Sequence, residues 1–348
     1  MLWNRQKPLV GLDIGSSSIK VVQVEYEGSD VRLRDFGSAG LLPEAIVDGE
    51  IMDRQLVVES IQNLFESKRI KNQNVASSVS GRAVIVKKIQ MDRMTPEDAR
   101  EAIHWEAEQH VPYDINEVCL DFQILEANGD PQHMDVLLVA AKREMLLAQA
   151  NLIREAGLNP IVLDVDAFAV QNVMSMNYDF SPEEVVALVN IGSELTNINI
   201  IKDGVPLYTQ DLSLGGTNFV EAVQRQFNLS QSEAEAAVHG REQADFDLDQ
   251  VVCEVGEELA MGIERSVLYL QTSGETETLS RILITGGGVR IPGLAGFLDQ
   301  RHQAPVEIAD PLRRIHHDPA IFGNQRPEEV APTLAVGLGL AVRKADDR

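Results

Sequence analysis

The chain has 348 residues, of which 44% are hydrophobic and 24% charged. Such a composition can bury a real core and excludes disorder, collagen and coiled-coil arrays; at roughly 150 residues per domain it suggests two domains, or one domain split into lobes. Thirty Lys and Arg against 54 Asp and Glu leave a formal charge of −24, a surface that repels nucleic-acid phosphates and anionic lipid headgroups. Cys119 and Cys253 stand far apart without metal-binding spacing, and are expected reduced and buried in a reducing compartment. Residues 1–8 carry Arg5 and Lys7 but no apolar leader core. No apolar run approaches the roughly 18 residues of a membrane helix. The expectation is a cytoplasmic protein with no direct membrane insertion and no nucleic-acid partner.

In chain order, residues 8–25 read as two strands joined by a tight turn at Gly15 to Ser18, and a third strand follows around 31–36. Residues 54–68 have helical spacing, with Leu56, Ile61, Leu64 and Phe65 on one side. A short buried strand covers 75–80. Near Arg82 the pattern changes. A strand at 84–91 leads to Thr95, which caps a helix opened by Pro96, Glu97 and Asp98 and stopped at Val111-Pro112. Strands at 118–126 and 135–141 flank a turn at Asn128-Gly129-Asp130, and a helix at 143–156 ends at Gly157. This strand–helix–strand–strand–helix unit reads as an insertion in a larger fold.

A second copy of the opening pattern begins at Val185, with Asn190-Ile191-Gly192-Ser193 answering Asp13-Ile14-Gly15-Ser16 and a third strand at 206–212 answering 31–36. The repeat implies two related lobes facing across a cleft. Residues 215–272 are mostly helical, a strand at 281–285 runs into Gly286-Gly287-Gly288, residues 310–326 read as a surface loop, and 332–342 as a packed helix.

A bend of Gly and Ser backbone entered through an acid is suited to phosphate and metal: small residues let amides approach phosphate oxygens, and the acid holds Mg²⁺ or its waters. Asp13, Gly15, Ser16, Ser17 and Ser18 fit this, and Lys20 can reach a phosphate. One such turn alone is more often an ordinary strand turn. The three glycines at 286–288 leave room for a flat ring or ribose. The order and separation of all three elements make the reading specific. His302, Asp310, His316 and His317 lack helical spacing or a cysteine partner, and are set aside as a metal site.

These elements together resemble the actin, heat-shock chaperone and sugar-kinase superfamily. Residues 11–18 resemble its first phosphate loop; Asn190, Gly192, Ser193 and Thr196 its second; 284–294 its adenosine motif. Residues 163–169 resemble its connecting helix, which makes Asp166 the acid that orients attacking water. Ser80-Gly81-Arg82, the run 106–118 and Val118-Cys119-Leu120-Asp121 resemble the PilM family of type IV pilus assembly proteins. The insertion at 83–158 matches the subdomain 1C that this family shares with the division protein FtsA.

The resemblance implies an actin-like two-lobed α/β fold of duplicated ribonuclease-H-like domains. Subdomain 1A would be 1–82, completed by about 159–182 and 329–348; the second lobe would be 183–328, with a helical 2B insertion at about 216–275. It implies ATP with Mg²⁺, the cation held by Asp13 directly or through water. It also implies the cytoplasmic N-terminal peptide of PilN as partner, docked between 1A and 1C, and through PilN the inner-membrane alignment complex and its motor ATPases. Self-association is compatible with that architecture. Trp105, Pro112 and Tyr113 are candidates for the peptide groove, although aromatic residues on a small module equally serve its core.

Two departures concern turnover. Asn190 stands where the superfamily has Asp, and Val238 where a Lys accompanies the adenosine-side Glu235. An amide lends no charge to Mg²⁺, so binding without fast hydrolysis is expected. Arg265 is assigned either to stacking on the base or to a solvated helix face. A small-molecule kinase would need a base for a substrate hydroxyl, and none is evident. A filament-forming membrane tether of the FtsA type would end in a linker and amphipathic helix, whereas this sequence closes on Val342-Arg343-Lys344-Ala345-Asp346-Asp347-Arg348.

Overall fold

The repeat seen in sequence becomes two sheets of matching topology in the computed structural model, which describes residues 8–28, 30–47, 49–125, 132–239, 247–272 and 278–343. In the first sheet Val10–Ile14 pairs antiparallel with Ser18–Glu27 and parallel with Asn74–Val79. In the second, Val185–Ile191 pairs antiparallel with Thr196–Lys202 and parallel with Arg281–Thr285. A third antiparallel strand, Asp30–Gly40 or Val205–Leu212, completes each hairpin. Val185–Ile191 is apolar on nearly every residue and buried on both faces, as a central strand covered by helices must be. Asn159–Val165 forms one open edge of the first sheet.

The inserted module has its own sheet, with His133–Lys142 central between Val84–Asp92 and Val118–Ile124, all antiparallel. The helix Pro96–His110 begins as expected, with the Thr95 side chain accepting from the Asp98 N–H, and buries Ala99, Ile103 and Ala107 at four-residue spacing. The turn at 128–130 lies outside the described residues.

Four expectations need correction. The module's core ends near Ala140. The helix Arg143–Glu155 instead buries Leu152 and Ile153 among Val10, Leu12, Val57 and Ile61, in the core of the first lobe. Residues 310–326 are no loose loop. Leu312, Ile315 and Phe322 are buried, and His316–His317 adds a parallel strand beside Asp30–Gly40; the Pro, His and Arg between these apolar residues hide the pattern. Residues 163–165 belong to the strand Asn159–Val165, and the helix Asp166–Asn177 starts at the acid itself. Cys119 is half-buried and Cys253 exposed, both as free thiols.

The C-terminal helix Ala335–Ala341 is buried along its whole length. It lies against the strand Val10–Ile14 and the helix Asp166–Asn177 at glycines: a Cβ on Gly11 would come within 2.0 Å of the Gly337 carbonyl oxygen, and one on Gly339 within 1.7 Å of the Ala169 carbonyl oxygen. Among the described residues no helix is long and apolar enough to cross a membrane.

Candidate nucleotide-binding site

A cavity of about 1100 Å³ opens between the sheets. From the first lobe it is lined by Asp13, Gly15, Ser16, Ser17, Ser18 and Lys20, from the second by Asn190, Gly192 and Ser193, with Asp166, Glu235, Gly286, Gly287 and Gly288 around them. The two hairpin bends close in the same way. The Gly15 N–H donates to the Ser18 carbonyl at 3.1 Å, and the Gly192 N–H to the Leu195 carbonyl at 2.9 Å. Gly216 and Thr217 donate backbone N–H groups to the Gly192 and Ser193 carbonyls at 3.0 and 2.8 Å, pinning the second bend to the start of the helix Gly216–Phe227.

The three glycines at 286–288 do different work. A Cβ on Gly286, where φ is +90°, would lie 2.4 Å from the Ile191 carbonyl oxygen, and one on Gly288 2.2 Å from Ile191 Cγ2. Both are required by close approach of the third loop to the second bend. Only Gly287 faces open space, with nothing within 4 Å of an added Cβ.

Not every expected residue reaches the cavity. Thr196 is fully buried beneath it, its hydroxyl donating to the Leu214 carbonyl at 2.7 Å. Arg265 points to solvent from the helix Asp249–Thr272, away from the cavity wall. Arg290 lines the wall instead; its signal was its place two residues after the glycine run and two before Pro292. Val238 is buried in the core of the second lobe. Trp105 is 72% exposed and Pro112 is exposed. Tyr113 fastens the module: its hydroxyl donates to the Arg82 carbonyl at 2.8 Å and Lys142 Nζ lies 4.6 Å from its ring centre.

Lys20 Nζ sits 3.1 Å from Asp13 Oδ2. Asp166 is pushed up to about 6, first by burial and then by the charge of Asp13; the hydroxyls of Ser78 and Ser80 partly offset this by hydrogen bonding, and Asp211 adds a smaller repulsion. Two carboxylates facing a single ammonium favour an added cation. Mg²⁺ keeps several waters and takes few protein ligands, most often one or two carboxylates. Asp13, and Asp166 through water, fit as its holders.

The raised Asp166 gives a direct test without ligand. A carboxyl whose folded pKa exceeds its ordinary value contributes full stability below about pH 4, and that contribution is lost as pH rises through 6. Asp166→Asn should therefore raise the melting temperature at pH 7.5, by a ceiling of about 3 kcal/mol for two pKa units, and leave it unchanged at pH 4. Equal melting curves at pH 7.5 would refute the strained carboxylate.

Paired bends across a cleft, a glycine loop packed on the second bend and a carboxylate between the lobes define an actin-like protein. Spiroplasma citri MreB5 bound to AMPPNP shares the fold with a TM-score of 0.55, at 12% identity over 96% of this chain and 94% of that one. The chain belongs to the family described as type IV pilus assembly protein PilM, which matches residues 11–345. The structure of a PilM-PilN type IV pilus biogenesis complex superposes with a TM-score of 0.86, at 29% identity over 98% of this chain and 99% of that one. FtsA of Bacillus subtilis (strain 168) is 23% identical over 88% of this chain and 80% of its own length.

Proposed function

We propose that this protein is the actin-like component of a type IV pilus inner-membrane platform: it holds ATP with Mg²⁺ in the cleft and captures the cytoplasmic N-terminal peptide of PilN. The observation that carries this is the match, over nearly the whole of both chains, to a PilM-PilN complex. Two open sheet edges supply a physical means. Val118–Ile124 ends the module's sheet and Asn159–Val165 ends the first lobe's. Burial pushes the Asp164 carboxyl on the second edge up, and the charge of Asp121 on the first edge adds a smaller push in the same direction. An extended peptide would satisfy the unpaired backbone of either edge, with side chains setting specificity. The cleft binds the triphosphate at the two bends, with Glu235 and Arg290 at the adenosine end. Attachment to the membrane, and proximity to the motor ATPases, then come through PilN. The FtsA relatives support a capacity for self-association.

Titrating a PilN N-terminal peptide by calorimetry, with and without Mg²⁺-ATP, tests both halves. The expected result is one saturable site whose affinity changes when nucleotide is present. That change is bounded by how differently ATP binds the two lobe arrangements. No peptide binding in either condition would sink the partner assignment.

A further inference from the structure

In the first lobe one row of residues crosses three strands as Asp13, Lys20 and Ser38; the equivalent row of the second lobe is Asn190, Asn197 and Asp211. The carboxylate stands at the start of the first row and at the end of the second. The second row is a continuous relay. Asn190 Nδ2 donates to Asn197 Oδ1 at 2.9 Å, and Asn197 Nδ2 donates to Asp211 Oδ1 at 2.8 Å. Asp211 Oδ2 accepts from the Gly81 N–H. Asn197, the middle member, is 3% exposed, whereas Asn190 and Asp211 are half-buried.

An ionised carboxylate only accepts, so Asn197 must turn its NH₂ toward Asp211 and its carbonyl toward Asn190. Asn190 must then spend its NH₂ inward. Its own oxygen is left beside Gly286, where an added Cβ would lie 2.7 Å from it, on the cavity wall. Burial raises the pKa of Asp211, and the N–H donors on its two oxygens oppose that rise by favouring the charged form.

We infer that Asp211 is a positioning residue: acting through Asn197, it makes Asn190 show the cleft a carbonyl oxygen, the hard donor that Mg²⁺ or its water takes, while its other oxygen anchors the entry to the inserted module at Gly81. The amide thus serves the cation with oxygen, and the negative charge sits two residues along the relay. The cation-facing part rests on the reading of the cleft as a Mg²⁺-nucleotide site.

Moving the carboxylate tests this. In Asp211→Asn the Gly81 N–H still requires an acceptor, so the new NH₂ faces Asn197 and the whole relay reverses, turning the Asn190 NH₂ toward the cleft. The affinity for ATP in Mg²⁺ should fall about 10- to 100-fold, as for other groups that orient a metal ligand, with little change in the presence of a chelator. Asn190→Asp alone places acceptors on both sides of Asn197 and should lower the melting temperature without any ligand. The double variant N190D/D211N satisfies every group in the reversed sense. It should recover the melting temperature and bind Mg²⁺-ATP at least as tightly as the parent.

A purely structural role for Asp211 would not be rescued by a carboxylate at 190. Additive losses of melting temperature across the four proteins would overturn the relay, and unchanged Mg²⁺ dependence in Asp211→Asn would overturn its function. Failure of the parent to bind ATP with or without Mg²⁺ would instead remove the nucleotide reading and the cation-facing part with it, leaving the ligand-free unfolding cycle to decide the relay.

Discussion

Gly339→Ala is expected to yield no soluble, cooperatively folded protein. The added Cβ would sit 1.7 Å from the Ala169 carbonyl oxygen, 2.4 Å from its carbon and 2.9 Å from its Cα. All three are backbone atoms inside the helix Asp166–Asn177, so no side chain can turn away. Relief requires the C-terminal helix to lift off. That helix contributes Leu338, Leu340 and Ala341 to the core that also holds Val22, Val170, Met174 and Leu334, so lifting it opens the first lobe at its centre. Overpacking in a closed core costs about 1–3 kcal/mol when side chains can adjust. Here only backbone can move, and the loss reaches the scale of a domain's whole stability, about 5–15 kcal/mol. Gly296→Ala is the matched control. It lies in the helix Leu294–Arg301, an added Cβ meets nothing within 4 Å, and the change should stabilise by up to about 1 kcal/mol through helix propensity. Soluble yield and thermal unfolding read both. A Gly339→Ala protein melting within a few degrees of the parent would show that the two helices are not in backbone contact.

How much of this was legible beforehand depended on the length scale of the signal. The paired bends were readable because Asp13-Ile14-Gly15-Ser16 and Asn190-Ile191-Gly192-Ser193 repeat both residue types and the strand pattern around them. The helix at Pro96 was readable because its cap, its proline and its acids are all local. What failed was set by contacts distant in sequence. Leu312, Ile315 and Phe322 are buried in the core that also holds Val31, Leu33 and Phe36, and the ring centre of Phe322 is 5.1 Å from that of Phe36. Nothing within residues 310–326 announces this. The helix Arg143–Glu155 looks like the last piece of the insertion because it follows it in the chain, yet Leu152 and Ile153 find their partners on strands some 140 residues earlier. Arg265 and Arg290 show the same limit at the site. Both are arginines near plausible motifs, and only the packing of the Gly286 and Gly288 loop on Ile191 decides which one lines the cavity. The relay to Asp211 was invisible for a further reason: its members are 7 and 14 residues apart, and cross-strand register alone makes them neighbours.

Asp13→Ala should abolish Mg²⁺-dependent ATP binding, lowering affinity by a factor of at least about 100, which corresponds to about 3 kcal/mol. Asp13 is 9% exposed and faces the cavity from the end of the strand Val10–Ile14, in register with Lys20. It has two roles there. It offers a carboxylate to a divalent cation, and it neutralises the Lys20 ammonium at 3.1 Å. Removing it takes away the cation's protein charge but frees Lys20 to attract phosphate. The two effects have opposite signs, and the measurement separates them. In Mg²⁺ the variant should lose its affinity, whereas in a chelator it should bind ATP at least as well as the parent does. Lys20→Ala should behave in the converse way, weakening ATP in both conditions. Removing Asp13 leaves Lys20 without its partner at 3.1 Å, which destabilises, and relieves Asp166 of a repelling charge, which stabilises. A ligand-free melting curve at pH 7.5 that stays cooperative and above the titration temperature shows that the loss of binding is not loss of the fold. Calorimetric titrations with and without Mg²⁺, alongside that melting curve, give a result no general damage can imitate. Tight Mg²⁺-ATP binding retained by Asp13→Ala would place the cation elsewhere in the cleft and leave the first bend with a phosphate-binding role alone.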